Sequence, residues 1–150
     1  MGDLSFDIKS ANDFLNKLIE DYAEYKKEPL SSRLAINCAM SAWHIIDWIY
    51  WEYHANDGSL SIFQFKMKNE CPSLQIMQDI TNGTKHSKLT RHVPTIKDTS
   101  LQKGAFSSGF SRGFNISILA LEKEDGSIIY FEDEIAKVVS FWQDYFMNSQ

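Results

Sequence analysis

Asp79, Asn82 and His86 stand at i, i+3 and i+7 in the stretch Asp79-Ile80-Thr81-Asn82-Gly83-Thr84-Lys85-His86-Ser87-Lys88-Leu89-Thr90-Arg91-His92. In a helix that spacing puts a carboxylate, an amide and an imidazole on one face. Lys85, Lys88 and Arg91 follow closely, so the set would suit an anionic ligand. Core packing gives no reason for such a group. With an ordinary pKa near ~6.5, His86 can both accept and donate a proton near neutrality. Cleavage of an RNA phosphodiester needs a general base for the 2′-hydroxyl and cations for the developing phosphorane charge. His86, Lys85 and Arg91, with Asn82 as a polar positioner, would supply those parts. Lys85, Lys88, Arg91 and His92 are the candidate phosphate-binding residues. The same histidine also fits a plain role as a partly exposed side chain near a helix C-terminus, where imidazolium is favoured.

A second candidate pair lies upstream. His44 and Asp47 are three residues apart within the most hydrophobic stretch of the chain, from Leu34 to Trp51. A carboxylate buried there without partners would cost several kcal/mol, so Asp47 must be paired or face a cleft. Two arrangements are open. Asp47 bonds His44 or a Trp indole, or caps the amides of another helix. Alternatively it faces the later polar stretch and orients Lys85, His86 or Arg91, as a carboxylate orients a histidine.

Other chemistries have less support. Bundle di-iron proteins use a Glu-x-x-His pair, zincins a His-Glu-x-x-His, and neither is present, nor is a cysteine cluster. No metal and no cofactor are expected. Cys38 lies in the apolar stretch and Cys71 precedes Pro72, so both read as buried free thiols and not as nucleophiles. Gly104-Ala105-Phe106-Ser107-Ser108-Gly109 lacks the Lys and the strand context of a phosphate loop. Trp43, Trp48, Tyr50, Trp51 and Tyr53 could stack bases, but at helical spacing most must be core, and any remainder suits a dimer interface.

The charge pattern sharpens the anion reading. The net charge is −5, yet residues 80–113 hold Lys85, Lys88, Arg91, Lys97, Lys103 and Arg112 against Asp98 alone. Both flanking segments are acidic, which makes the chain an electrostatic dipole whose basic end is a natural place for phosphate. A hydrophobic fraction of 43% and a charged fraction of 23% fit a globular domain and exclude a disordered polyelectrolyte. Apolar runs are too short for a membrane span, and the acidic N-terminus does not resemble a signal peptide. A cytoplasmic protein that avoids the membrane is the expectation.

The elements that would position these residues are mostly helices. Ser10-Ala11-Asn12-Asp13 is a helix entry, and Phe14, Leu15, Leu18, Ile19, Tyr22 and Tyr25 recur at helical spacing to about Lys27. Ser31 or Ser32 opens a second helix from Arg33 to about His54, apolar nearly all round and therefore central. A third helix is expected over Leu60 to Glu70, and a fourth begins near Pro72 and carries the polar stretch. Gly83 inside it signals close backbone approach or a helix about to end. Residues 90–113 are irregular and basic. Residues 114–131 read as a β-hairpin turning at Glu124-Asp125-Gly126, and a final amphipathic helix follows, opened by Glu132, Asp133 and Glu134.

Trp43-His44-Ile45-Ile46-Asp47-Trp48 followed by Asp79-Ile80-Thr81-Asn82-Gly83-Thr84-Lys85-His86 resembles a class of small bacterial and prophage proteins that are similar to the HEPN superfamily. The resemblance covers roughly residues 10–92. It implies a helical bundle, often dimeric, of a kind that includes ribonucleases of toxin–antitoxin and phage-defence systems. HEPN nucleases carry an Arg, four to six residues, then a His at the start of a late helix. Here Asn82 stands in place of the Arg and the gap is three residues, so only His86 carries over.

Taken together, the sequence predicts one mainly α domain over 1–150, a four- to five-helix bundle with one small β-hairpin before the C-terminal helix. The functional expectation is an RNA-binding protein or metal-independent endoribonuclease, forming a homodimer, with His86, Asn82, Lys85, Arg91 and Asp47 as its catalytic set. The alternative is a non-enzymatic helical module, of bacterial or prophage origin, that binds a protein partner.

Overall fold

A computed structural model describes residues 4–87, 94–102 and 118–148. Helix α1 spans Ala11–Lys27 and starts where the chain supplies its own caps. The Ser10 hydroxyl accepts from the Asp13 amide at 3.0 Å, and the Asp13 carboxylate accepts from the amides of Ser10 and Lys9 at 3.1 and 2.9 Å. These bonds satisfy donors that a helix start otherwise leaves open. They also hold the Asp13 carboxyl below its usual range, the Lys9 amide contributing most.

Helix α2, Ser32–Ile49, begins at the Ser31 hydroxyl and runs through the centre of the bundle. Cys38, Ala39, Ala42, Ile45, Ile46 and Ile49 are completely buried in it, packed against α1, α4 (Ser73–Lys85) and α5 (Phe131–Asn148). One bond ties the two longest helices together. The buried indole of Trp142 in α5 donates to the carbonyl of Ala42 in α2 at 3.0 Å. Helical structure continues to His54 as expected, but its last five residues, Tyr50–His54, form a π-helical turn. Such turns are rare, occur mostly as single turns within α-helices, and are frequent at functional sites.

Helix α3, Leu60–Glu70, is entered through Gly58, whose φ of 109° suits a residue without a Cβ, and is capped by Ser59. The Tyr50 hydroxyl donates to the Gly58 carbonyl at 2.7 Å and fixes the loop between the π turn and α3. At the opposite end of the bundle the Ser73 hydroxyl, at the start of α4, donates to the buried Glu134 carboxylate in the first turn of α5 at 2.9 Å. Lys137 pairs with the same carboxylate at 3.0 Å, so this buried charge is compensated.

The expected hairpin is present as β2 (Ile118–Lys123) and β3 (Ile128–Tyr130), turning through Glu124, Asp125 and Gly126. A third strand, β1 (Ile96–Gln102), pairs antiparallel with β2 from Ile96↔Lys123 to Gln102↔Ile118, with a bulge between Ile96 and Asp98. The fold is therefore mainly helical with a small three-stranded antiparallel sheet, ordered β1-β2-β3, ahead of the last helix. The segment read as irregular between 90 and 113 contains that extra strand. Only Ile96 of β1 is buried, whereas β2 turns Ile118, Ala120 and Leu121 inward.

Candidate functional site

Asp79 fastens α4 to the start of β1. Its buried carboxylate accepts from the Thr95 amide and the Thr95 hydroxyl, both at 2.7 Å, and from the Ile96 amide at 3.1 Å. The other oxygen accepts from Gln75 at 2.9 Å. A charged acceptor buried among so many donors is a fastening for β1. The carboxylate expected to share a face with Asn82 and His86 is thus turned to Thr95, Ile96 and Gln75.

Helix α4 ends two residues beyond Gly83, with the His86 amide donating to the Asn82 carbonyl at 2.9 Å. Asn82 is half-buried, while Lys85 and His86 are exposed. Gly83 needs no close neighbour, because an added Cβ would meet no atom within 4 Å. Lys88, Arg91 and His92, three of the candidate phosphate ligands, lie outside the described residues.

Asp47 is on the outer face of α2, in a stripe of exposed side chains running Met40, His44, Asp47 and then Trp51 of the π turn. The spacing i, i+4, i+7, i+11 makes it one continuous face. Both polar members reach solvent, yet apolar surroundings strip away part of their hydration. That desolvation pushes the Asp47 carboxyl up, against the opposing pull of His44 and a hydrogen bond from Gln64 of α3. It pushes the His44 imidazole down, against the pull of Asp47 and helped by the positive charges of Lys17 and Lys85. Lys85 is thus electrostatically close to His44. No hydrogen bond or ion pair joins Asp47 to Lys85 or His86 among the described residues. Among the described residues, His44 acts on Asp47 electrostatically and Gln64 through a hydrogen bond.

Beside Asp47 lies a groove of about 490 Å³ lined by Lys9, Asp47, Trp48, Trp51 and Glu52. Its walls are held from behind. Trp48 stacks on Phe14 of α1 with ring centres 5.5 Å apart. Glu52 accepts the Ala11 amide at 2.6 Å, so a residue of the π turn caps α1. Neither Glu52 nor Lys9 stands out in the sequence as a site residue. The groove exists because the π turn brings residues 51 and 52 back against the start of α1, and no short-range pattern announces a π turn.

No family model, curated protein or solved structure matches the chain. Its chemistry must be read from its own geometry.

On the other side of the π turn, His54 stacks on Phe63 at 4.7 Å, with Asp57 at 3.7 Å from Nδ1 and the Tyr145 hydroxyl at 3.3 Å from Nε2. This knot joins the π turn, α3 and α5. Large apolar side chains stand in solvent along the same two adjoining elements: Trp51 and Tyr53 on the π turn are 67% and 60% exposed, Ile62 and Phe65 on α3 are 64% and 65% exposed. A larger cleft of about 730 Å³ separates the start of α2 and the end of α4 from the sheet, with Ser32, Ile80, Gly83, Thr84, Lys97 and Leu119 among its walls. Neither Lys85 nor His86 lines it. Among the described residues no three His, Cys, Asp or Glu side chains are grouped as a metal ion would require.

Proposed function

We propose that this chain is a non-enzymatic helical interaction module that docks a partner polypeptide on the face built by the π turn and α3. The observation that carries this reading is the exposure of Trp51, Tyr53, Ile62 and Phe65 on two elements packed together through Phe63. Isolated apolar side chains in solvent are ordinary, but several large ones on adjoining elements characterise an interaction surface. No helix among the described residues is long and apolar enough to cross a membrane, so these side chains are not part of such a span. The frame beneath them is tied by the Tyr50–Gly58 bond and the His54 knot.

Site-specific photocrosslinking in the native cell tests the proposal. A benzophenone side chain at Phe65 or Ile62 should capture a discrete polypeptide, a second copy of the chain included. The same group at exposed Glu124, on the hairpin turn, should not. Capture of nucleic acid, or equal capture at all positions, would overturn it.

A second reading, an RNA-directed HEPN-like protein, is favoured by one observation. Lys85 and His86 stand exposed at the end of α4, with Lys85 electrostatically close to His44. RNA binding through Lys85 and its basic neighbours should weaken steeply with salt. Cleavage of single-stranded RNA by the native chain but not by His86→Ala would support catalysis there. Equal cleavage by both, or none by either, would sink it.

A further inference from the structure

The groove beside Asp47 combines two indoles, two carboxylates and one ammonium in a space the size of a small-ligand site. Its charges select what it can take. Asp47 and Glu52 oppose an anion at close range, and the Lys9 ammonium leaves the group with a single net negative charge. A divalent metal would find too few ligands and too little compensating charge. A weakly hydrated, planar, monovalent cation gains on every count, because it can lie against an indole while its N–H donors meet carboxylate oxygens.

From this geometry we infer that the groove formed by Asp47, Trp48, Trp51 and Glu52 receives the guanidinium of an arginine side chain presented by a partner polypeptide. The inference rests on the interaction-module reading and names the chemistry of the partner. Three features support it. Trp48 is braced by Phe14, and Glu52 is braced by the α1 amide it caps, so the receptor is preorganised. Besides Lys9 on the groove wall, the cationic group acting on Asp47 is His44, whose imidazole is held below its usual range by desolvation. An entering cation would therefore add counter-charge beside Asp47. Trp51 belongs both to the groove and to the exposed apolar face, so one partner segment can occupy the two together.

The test is a titration of the isotopically labelled chain with Nα-acetyl-arginine-N-methylamide, followed at the indole N–H resonances of Trp48 and Trp51. Both should shift saturably, while the neutral citrulline analogue leaves them in place. Trp51→Ala, at an exposed position, and Asp47→Asn should each weaken binding about fivefold or more, the size of one cation–π or charged contact. Lys9→Ala should tighten it. No movement of either indole, an equal response to citrulline, or unchanged binding in both weakening variants would overturn the assignment. A partner crosslinked at Phe65 without any arginine response would remove the groove and leave the docking face. An arginine response without a crosslinked partner would do the reverse.

Discussion

Asp79 and Thr95 are joined twice, by the Thr95 amide and by its hydroxyl, each 2.7 Å from the same carboxylate oxygen. With the Ile96 amide added, one side chain of α4 sets where β1 begins. Asp79→Ala should cost about 2–4 kcal/mol, since it strands buried amides as well as removing their acceptor. Urea unfolding measures the loss. Hydrogen exchange at Ile96 should accelerate more than exchange within α2.

The Thr81 hydroxyl is buried and makes no hydrogen bond. Replacing it with the near-isosteric Val should therefore raise stability by about 1 kcal/mol, against the usual direction of core substitution. A fall in the urea midpoint for Thr81→Val would show that the hydroxyl has a partner in solution.

Gly83→Ala should also stabilise, by up to ~1 kcal/mol, because the position is helical and the new methyl meets open space. Thermal unfolding of this single variant decides it.

Acidification should weaken the fold through His44. Its imidazole is held below the ordinary 6.5, so between that value and the lower folded one the unfolded chain binds more protons, and stability falls as pH drops through the window. Asp47 runs oppositely. Its carboxyl is held above 3.8, so its contribution is complete at lower pH and is lost as pH rises through the folded value. His44→Gln should flatten the urea midpoint between pH 7 and 5, and Asp47→Asn should not lower stability at pH 7. A midpoint profile unchanged by His44→Gln would remove the imidazole from the account.

Neither thiol should react in the native state. Burial pushes the Cys38 thiol up to about 12 and raises Cys71 as well, leaving little thiolate at pH 8. Iodoacetamide should modify both only when urea unfolds the chain.

Several helices were legible because they carry their own punctuation. Ser10 with Asp13, and Ser31, start helices as read, and α3 has the bounds expected of it, Leu60–Glu70. Strand β1 was not legible, since Lys97, Asp98, Thr99, Ser100 and Leu101 are all exposed and show no alternation. Its order comes from β2 and from Asp79, neither of which is local. The site was read less well for the same reason. Helical spacing placed Asp79 beside His86, but its partners lie sixteen and seventeen residues further along. His44 and Asp47 were legible as polar residues in an apolar helix, while the groove that Asp47 borders depends on a π turn that apolar periodicity cannot distinguish from an α-helix.

The bond between Glu52 and the Ala11 amide gives the π turn a reach beyond its own five residues. The first turn of α1 and the wall of the groove share one carboxylate, so the two cannot move independently. A ligand that drew Glu52 away would free the Ala11 amide beside the Ser10–Asp13 box, and a ligand that pressed it home would tighten the helix start. Occupancy on the surface would then be reported some forty residues earlier in the chain, as fraying or firming of the segment that leads into the bundle.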